Sequence, residues 1–151
     1  MPHIHEKIDF VVVAYIVYKQ KVLLVLHKKL KEWLPIGGHI ELDEDPEEAL
    51  FREIKEECGL DVEIIGKKPE QQFSRRTFLY SPRHLDIHDV ILGHKHVGLT
   101  YFAKAKSDKV KLSESEHDNI RWFTKQELDD KKYNLSSDIK FYALAALNEI
   151  K

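Results

Sequence analysis

Gly38–Leu60 reads GHIELDEDPEEALFREIKEECGL, and its second half has to coil. Asp45-Pro46-Glu47-Glu48 is a helix start. The aspartate can cap, the proline suits the first helical position, and Glu48 completes a capping box. Gly59 is the matching stop. The helix is expected over Pro46–Cys58. On a wheel of about 100° per residue, Leu50, Ile54 and Cys58 form a core stripe with Phe51 close by. Glu48, Arg52 and Lys55 form a solvated face. Glu53, Glu56 and Glu57 form a third stripe, with Glu57 beside the apolar face.

That third stripe works against the helix. The i, i+3, i+4 spacing brings the three carboxylates within about 5–6 Å of one another. Two of them sit in the last turn, where the macrodipole disfavours anions. A break with local rules of this kind is expected at a functional site, and a hard divalent cation with oxygen ligands is the simplest compensation. The competing reading is a solvated acidic helix, which most charge runs are. The loop in front of the helix decides between them.

Taken together, Gly38–Leu60 resembles the Nudix box, G-x5-E-x7-R-E-U-x-E-E-x-G-U, where U is a bulky aliphatic residue. Its fixed positions are filled by Gly38, Glu44, Arg52, Glu53, Ile54, Glu56, Glu57, Gly59 and Leu60. Nine matches over 23 residues make this far more specific than a lone glycine motif. The flanks agree: two strands and W-x-P-G-G precede the box, and R-W-F then E-L follow it. Trp33–Gly38 reads WLPIGG where many members read LPGG, and the extra residue is expected to reshape the pocket wall beside Trp33.

The resemblance implies a Nudix-type α/β/α sandwich around a mixed β-sheet, an α/β (α+β) fold, in one domain over 1–151. It implies hydrolysis of a nucleoside diphosphate linked to another moiety, with Mg²⁺ as cofactor and Mn²⁺ as substitute. Carboxylates that hold such ions suit this chemistry, because cutting a diphosphate demands charge neutralisation and an oriented water. The implied catalytic set is Arg52, Glu53, Glu56 and Glu57. Glu56 and Glu57 are metal ligands, and Glu53 is a ligand or the base that orients water; which glutamate takes the proton differs within the family. A backbone carbonyl at Gly37 or Gly38 completes a metal shell. Arg52 pairs with a box carboxylate such as Glu44, and Gly38, Glu44 and Gly59 shape the box. A further acidic ligand is expected from a late loop, at Glu116 first and Glu114 second.

Outward from the box, Ile8–Tyr18 and Val22–Leu26 read as strands joined by a short turn at Lys19–Lys21. Apolar residues occupy both odd and even positions, so both faces are expected to be buried under helices. Lys28–Asp45 is a loop holding a short strand near His39–Leu42. Val62–Ile65, Gln71–Tyr80, Gly98–Ala105 and Ile120–Phe123 are further expected strands. Thr124–Glu127 is a second capping box, and a last helix is expected over Ser137–Ile150, with Ile139, Ala143, Ala146, Leu147 and Ile150 as its stripe. Ser81–Lys95 shows no clear period and is read as a long loop.

Substrate contacts are less legible. Trp33, Phe73, Phe78 and Tyr80 are able to stack on a base, but core packing is the favoured reading for each. Arg75, Arg76 and Arg83 are candidates for phosphate. His84, Asp86, His88, His94 and His96 fall within thirteen residues. His94 and His96 would share one face of a strand. They are candidate substrate-binding residues; polar pocket lining is favoured over a Zn²⁺ site because the spacing matches no standard zinc pattern.

A net charge of −2 leaves no footprint for nucleic acid or an anionic membrane. The resemblance implies a small-molecule nucleotide as partner, with a homodimer left open. Cys58 is the only cysteine, which suits a reducing, cytoplasmic setting. The longest apolar run, Phe10–Tyr18, is short of the ~20 residues of a spanning helix. Glu6 and Asp9 precede it without a cleavage site after it, which argues against a signal peptide. Within the family it resembles, a bare domain of this size is most similar to the members that cleave a nucleoside triphosphate to a monophosphate and pyrophosphate, and that is the expected activity. ADP-ribose and dinucleoside polyphosphates are the alternatives, and a non-catalytic nucleotide-sensing module is the rival class.

Overall fold

The computed structural model describes residues 7–151; Glu6 lies outside them. Ile8–Tyr18 forms β1 and Lys21–His27 forms β2. The hairpin between them turns on Lys19 and Gln20, both at positive φ (44° and 63°), which is the mirror-image turn that matches strand twist. Trp33–Leu34 (β3) and Ile36–His39 (β4) follow, then the helix α1 over Pro46–Glu57. Val62–Ile64 (β5), His84–Ile91 (β6), His94–Ala105 (β7) and His117–Thr124 (β8) complete the sheet. A 3₁₀ turn at Glu127–Asp129 leads to α2 over Ser137–Glu149.

The sheet is mixed: β1 runs parallel to β7 and the other pairings are antiparallel. The period-2 pattern sorts β1 between two cores. Val12, Ala14 and Ile16 meet Ala49, Leu50, Ile54 and Cys58 on the α1 side. Tyr15 and Val17 meet Ile139, Ala143 and Ala146 on the α2 side. Helices therefore cover both faces, as the double-sided apolar strands require. No helix among the described residues is long and apolar enough to cross a membrane.

Four local expectations are corrected. Gln71–Tyr80 is irregular apart from a bridge between Phe73 and Arg76. Its aromatic content favours a strand, but the free edge of β7 is already taken by β5 and β6. Ser81–Lys95 is mostly strand: His84, Asp86 and His88 alternate with Leu85 and Ile87, with the apolar members exposed. The strand in the box loop is Ile36–His39, and Leu42 lies beyond it, fully in solvent. Phe51 is exposed rather than joining the core stripe.

Candidate active site

The caps of α1 set the position of every glutamate that follows. Asp45 Oδ1 accepts from the Glu48 amide (2.9 Å) and Glu48 Oε1 accepts from the Asp45 amide (3.2 Å). At the other end Gly59 adopts φ +68°, and its amide donates to Ile54 O (3.0 Å).

Arg52 is a hub rather than a member of a solvated face. Its guanidinium donates twice to Glu44 (2.7 and 2.9 Å), once to Glu53 (2.7 Å) and once to the carbonyl of His39 (3.0 Å). Glu56 lies 3.6 Å from the same group, with its side chain mostly in solvent. The bidentate contact holds Glu44 below the usual carboxylate range. Arg52 thus joins the loop, the helix and two of the three stripe carboxylates. It relieves the repulsion that the helical spacing alone would leave.

Glu57 is treated differently. It is only 4% exposed, and among the described residues no lysine or arginine pairs with it. Burial raises its pKa well above the usual carboxylate range, and Glu53 and Glu116 add to the rise. Its neighbours are the Gly37 amide, His117 Nε2 at 3.5 Å, and Glu116, whose carboxylate stands 3.8 Å from the same nitrogen. One ligand atom each from Glu57, Glu116 and His117 lies within 4.8 Å of the others. Both ring nitrogens of His117 are buried without a hydrogen-bond partner. Burial also keeps His117 below its usual pKa, His27 adding to this and Glu116 opposing it, so its lone pair is available.

Glu57 and Glu116 line a cleft of about 420 Å³ with His27, Lys28, Lys29, Gly37, Gly38, His39 and Glu53, and His117 lies buried against them. The two glycines are needed for close approach. A Cβ on Gly37 would stand 2.4 Å from Val12 O, and one on Gly38 would stand 2.2 Å from Glu53 Oε1. The Glu116 loop is drawn in by its carbonyl, which accepts from the Lys28 amide (3.0 Å). A buried carboxylate without a fixed cation and an acidic neighbour form an oxygen donor set that fits a hard divalent ion, with the partnerless imidazole of His117 beside it.

The other candidates fall elsewhere. Glu114 is exposed and outside this cluster. Trp33 packs edge-on to Phe123 (centroids 5.0 Å apart) and Tyr133 on the α2 side. Ile36, the extra residue of WLPIGG, is buried in the α1-side core and lines neither this cleft nor the one at 68–78. Phe73, Phe78 and Arg76 line a separate cleft at 68–78, and Tyr80 lies against Lys68. Arg75 is exposed, and Arg83 pairs with Glu149. His94 and His96 sit at the start of β7, with Asp9. His117, Lys28 and Lys29 escaped the sequence reading. A lone histidine after Glu116 and a lysine pair in a turn carry no periodic signal, and only the β2–β8 pairing brings them together.

Comparison with known proteins bears on the fold and the family. The NUDIX domain family matches residues 9–145. A crystal structure of a NUDIX-family hydrolase from Clostridium perfringens is 35% identical, with a TM-score of 0.82 over 95% of this chain and 98% of that one. A MutT NUDIX hydrolase from Burkholderia pseudomallei shares the fold, with a TM-score of 0.69 at 23% identity over 97% and 100% of the two chains. An RNA pyrophosphohydrolase from Marinomonas sp. (strain MWYL1) is 72% identical over 36 residues, so the matched segment spans 22% of that curated relative.

Proposed function

The chain belongs to the NUDIX family, and on that premise we propose that it is a Mg²⁺-dependent pyrophosphohydrolase that cuts nucleoside triphosphates to monophosphates and pyrophosphate. The observation that carries the reading is Glu57, a buried carboxylate facing a cleft with no lysine or arginine against it among the described residues. Glu53, Glu57, Glu116 and a carbonyl at Gly37 or Gly38 would hold the ion, and Glu56 would join from the rim. Bound there, Mg²⁺ or Mn²⁺ supplies charge neutralisation at phosphate oxygens and lowers the pKa of a bound water.

The chain's own groups do the rest. Arg52 locks Glu53 and Glu44 in place through its fork of donors. Lys28 and Lys29, at the rim of the cleft, supply the local positive charge that a phosphate chain needs near so many carboxylates. One of the stripe glutamates accepts the proton of the attacking water.

The short match to an RNA pyrophosphohydrolase favours a second reading, in which the triphosphate belongs to the 5′ end of an RNA. A panel of nucleoside triphosphates, ADP-ribose, a dinucleoside polyphosphate and a 5′-triphosphorylated RNA, incubated with Mg²⁺ and resolved by chromatography, tests both. Monophosphate and pyrophosphate from a free triphosphate are expected. Faster turnover of the RNA would transfer the assignment to the second reading. Nucleotide binding without turnover of any substrate would make the chain a sensing module.

A further inference from the structure

We propose that Asp9, His94 and His96 form a second metal site, suited to a transition ion such as Zn²⁺, beside the glutamate cleft and reached from it across His39, which lines that cleft. Three strands converge to build it. The parallel register of β1 and β7 sets Asp9 beside His96, and His94 lies two residues earlier on the same face. The antiparallel register of β1 and β4 sets His39 opposite Val11, again on that face. Gly38 faces the other way, toward Glu53, so adjacent residues of β4 serve the two sites.

The distances suit coordination. One oxygen of Asp9 and one nitrogen each of His94 and His96 lie within 4.8 Å of one another. His94 Nε2 stands 2.8 Å and His39 Nε2 3.6 Å from the same oxygen, Asp9 Oδ2. Tetrahedral Zn²⁺ with bonds of about 2.0–2.1 Å places its ligand atoms roughly 3.3–3.4 Å apart, so small rotamer shifts complete the shell. The His39 and His96 rings are 4.9 Å apart, which makes His39 the natural fourth ligand.

The chemistry of the set points the same way. Two or three imidazoles with one carboxylate select zinc, cobalt or nickel over magnesium. His88 also lies close to His96, with ring centroids 5.6 Å apart, and its Nδ1 is held by Asp86 at 2.9 Å. A histidine oriented by a carboxylate is the usual surround of such sites. A hydrogen-bonded pocket lining accounts for the His94–Asp9 pair. It does not account for His39 and His96 converging on the same carboxylate.

Zn²⁺ binding by the EDTA-stripped protein, measured by equilibrium dialysis against excess Mg²⁺, tests the proposal. In an E57Q/E116Q background, which disarms the glutamate cleft, about one equivalent of Zn²⁺ is expected to remain bound. Co²⁺ in its place should show the intense visible bands of a tetrahedral site. H94A/H96A should abolish binding, and the near-isosteric D9N should weaken it roughly tenfold or more. If H94A/H96A does not fold, D9N decides. Loss of Zn²⁺ binding in E57Q/E116Q, or unchanged binding in folded D9N, would overturn the site.

Discussion

Glu57 and Glu48 lie on one helix and carry the same charge, yet their surroundings separate them. Glu48 spends its carboxylate on a capping bond, whereas Glu57 is buried among acids. Glu57→Gln keeps the shape and removes the charge, so turnover should fall about 10²–10⁴-fold, at 1.36 kcal/mol per decade. Glu48→Gln should leave kcat nearly unchanged. Stability should move the other way, in a pH-dependent manner. A carboxyl whose folded pKa is raised binds its proton more tightly when folded. Its burden on the metal-free fold is absent below the unfolded value of about 4.3 and grows as pH rises above it. In EDTA, E57Q should therefore melt at a higher temperature than the parent, by a margin that widens from about pH 5 to pH 8. A lower melting temperature at pH 8 would contradict the assignment of Glu57 as an unpaired buried acid. The stripe at Glu53, Glu56 and Glu57 was legible from helical spacing. The part played by Arg52 was not, because a wheel shows direction from one axis and not the loop that Arg52 reaches.

Among the elements, α1 was the most legible, since its cap, its first-position proline and its terminal glycine are local chemistry. The β1–β2 hairpin was less so. Its two turn residues are Lys19 and Gln20, both in the left-handed region that asparagine and glycine tolerate better. Asn-Gly at these positions should raise stability by roughly 1 kcal/mol without altering turnover, because neither residue reaches the cleft. Thermal melts and initial rates check this together; a fall in melting temperature would exclude the mirror-image turn. β6 shows the opposite problem. Its alternation of His84, Asp86 and His88 with Leu85 and Ile87 is a strand period in plain view. The cluster of polar residues hid it, because the polar side faces the protein, where Tyr142 donates to Asp86, and the apolar side faces out.

At the scale of the whole molecule, the cleft is assembled from β2, β4, α1 and the loop before β8, so an ion there would tie distant segments together. An ion that binds only the folded chain stabilises it by mass action, about 2.7 kcal/mol at a hundredfold excess over Kd. Mg²⁺ or Mn²⁺ should accordingly raise the melting temperature by several degrees, EDTA should reverse the shift and abolish turnover, and E57Q should blunt both. Full turnover in EDTA would remove the metal from the mechanism. The sequence by itself determined the family resemblance, the helix that carries the glutamates, and the helix-covered sheet. Each of these depends on neighbours a few residues apart, through helical spacing, period-2 alternation and caps. Only the tertiary structure decided that His117 joins Glu57 and Glu116, that Asp9 and His39 join His94 and His96, and that Gln71–Tyr80 finds no place in the sheet. Those outcomes depend on strand register and on which sheet edges are already occupied, and pairing between residues far apart in the chain leaves no trace in local spacing.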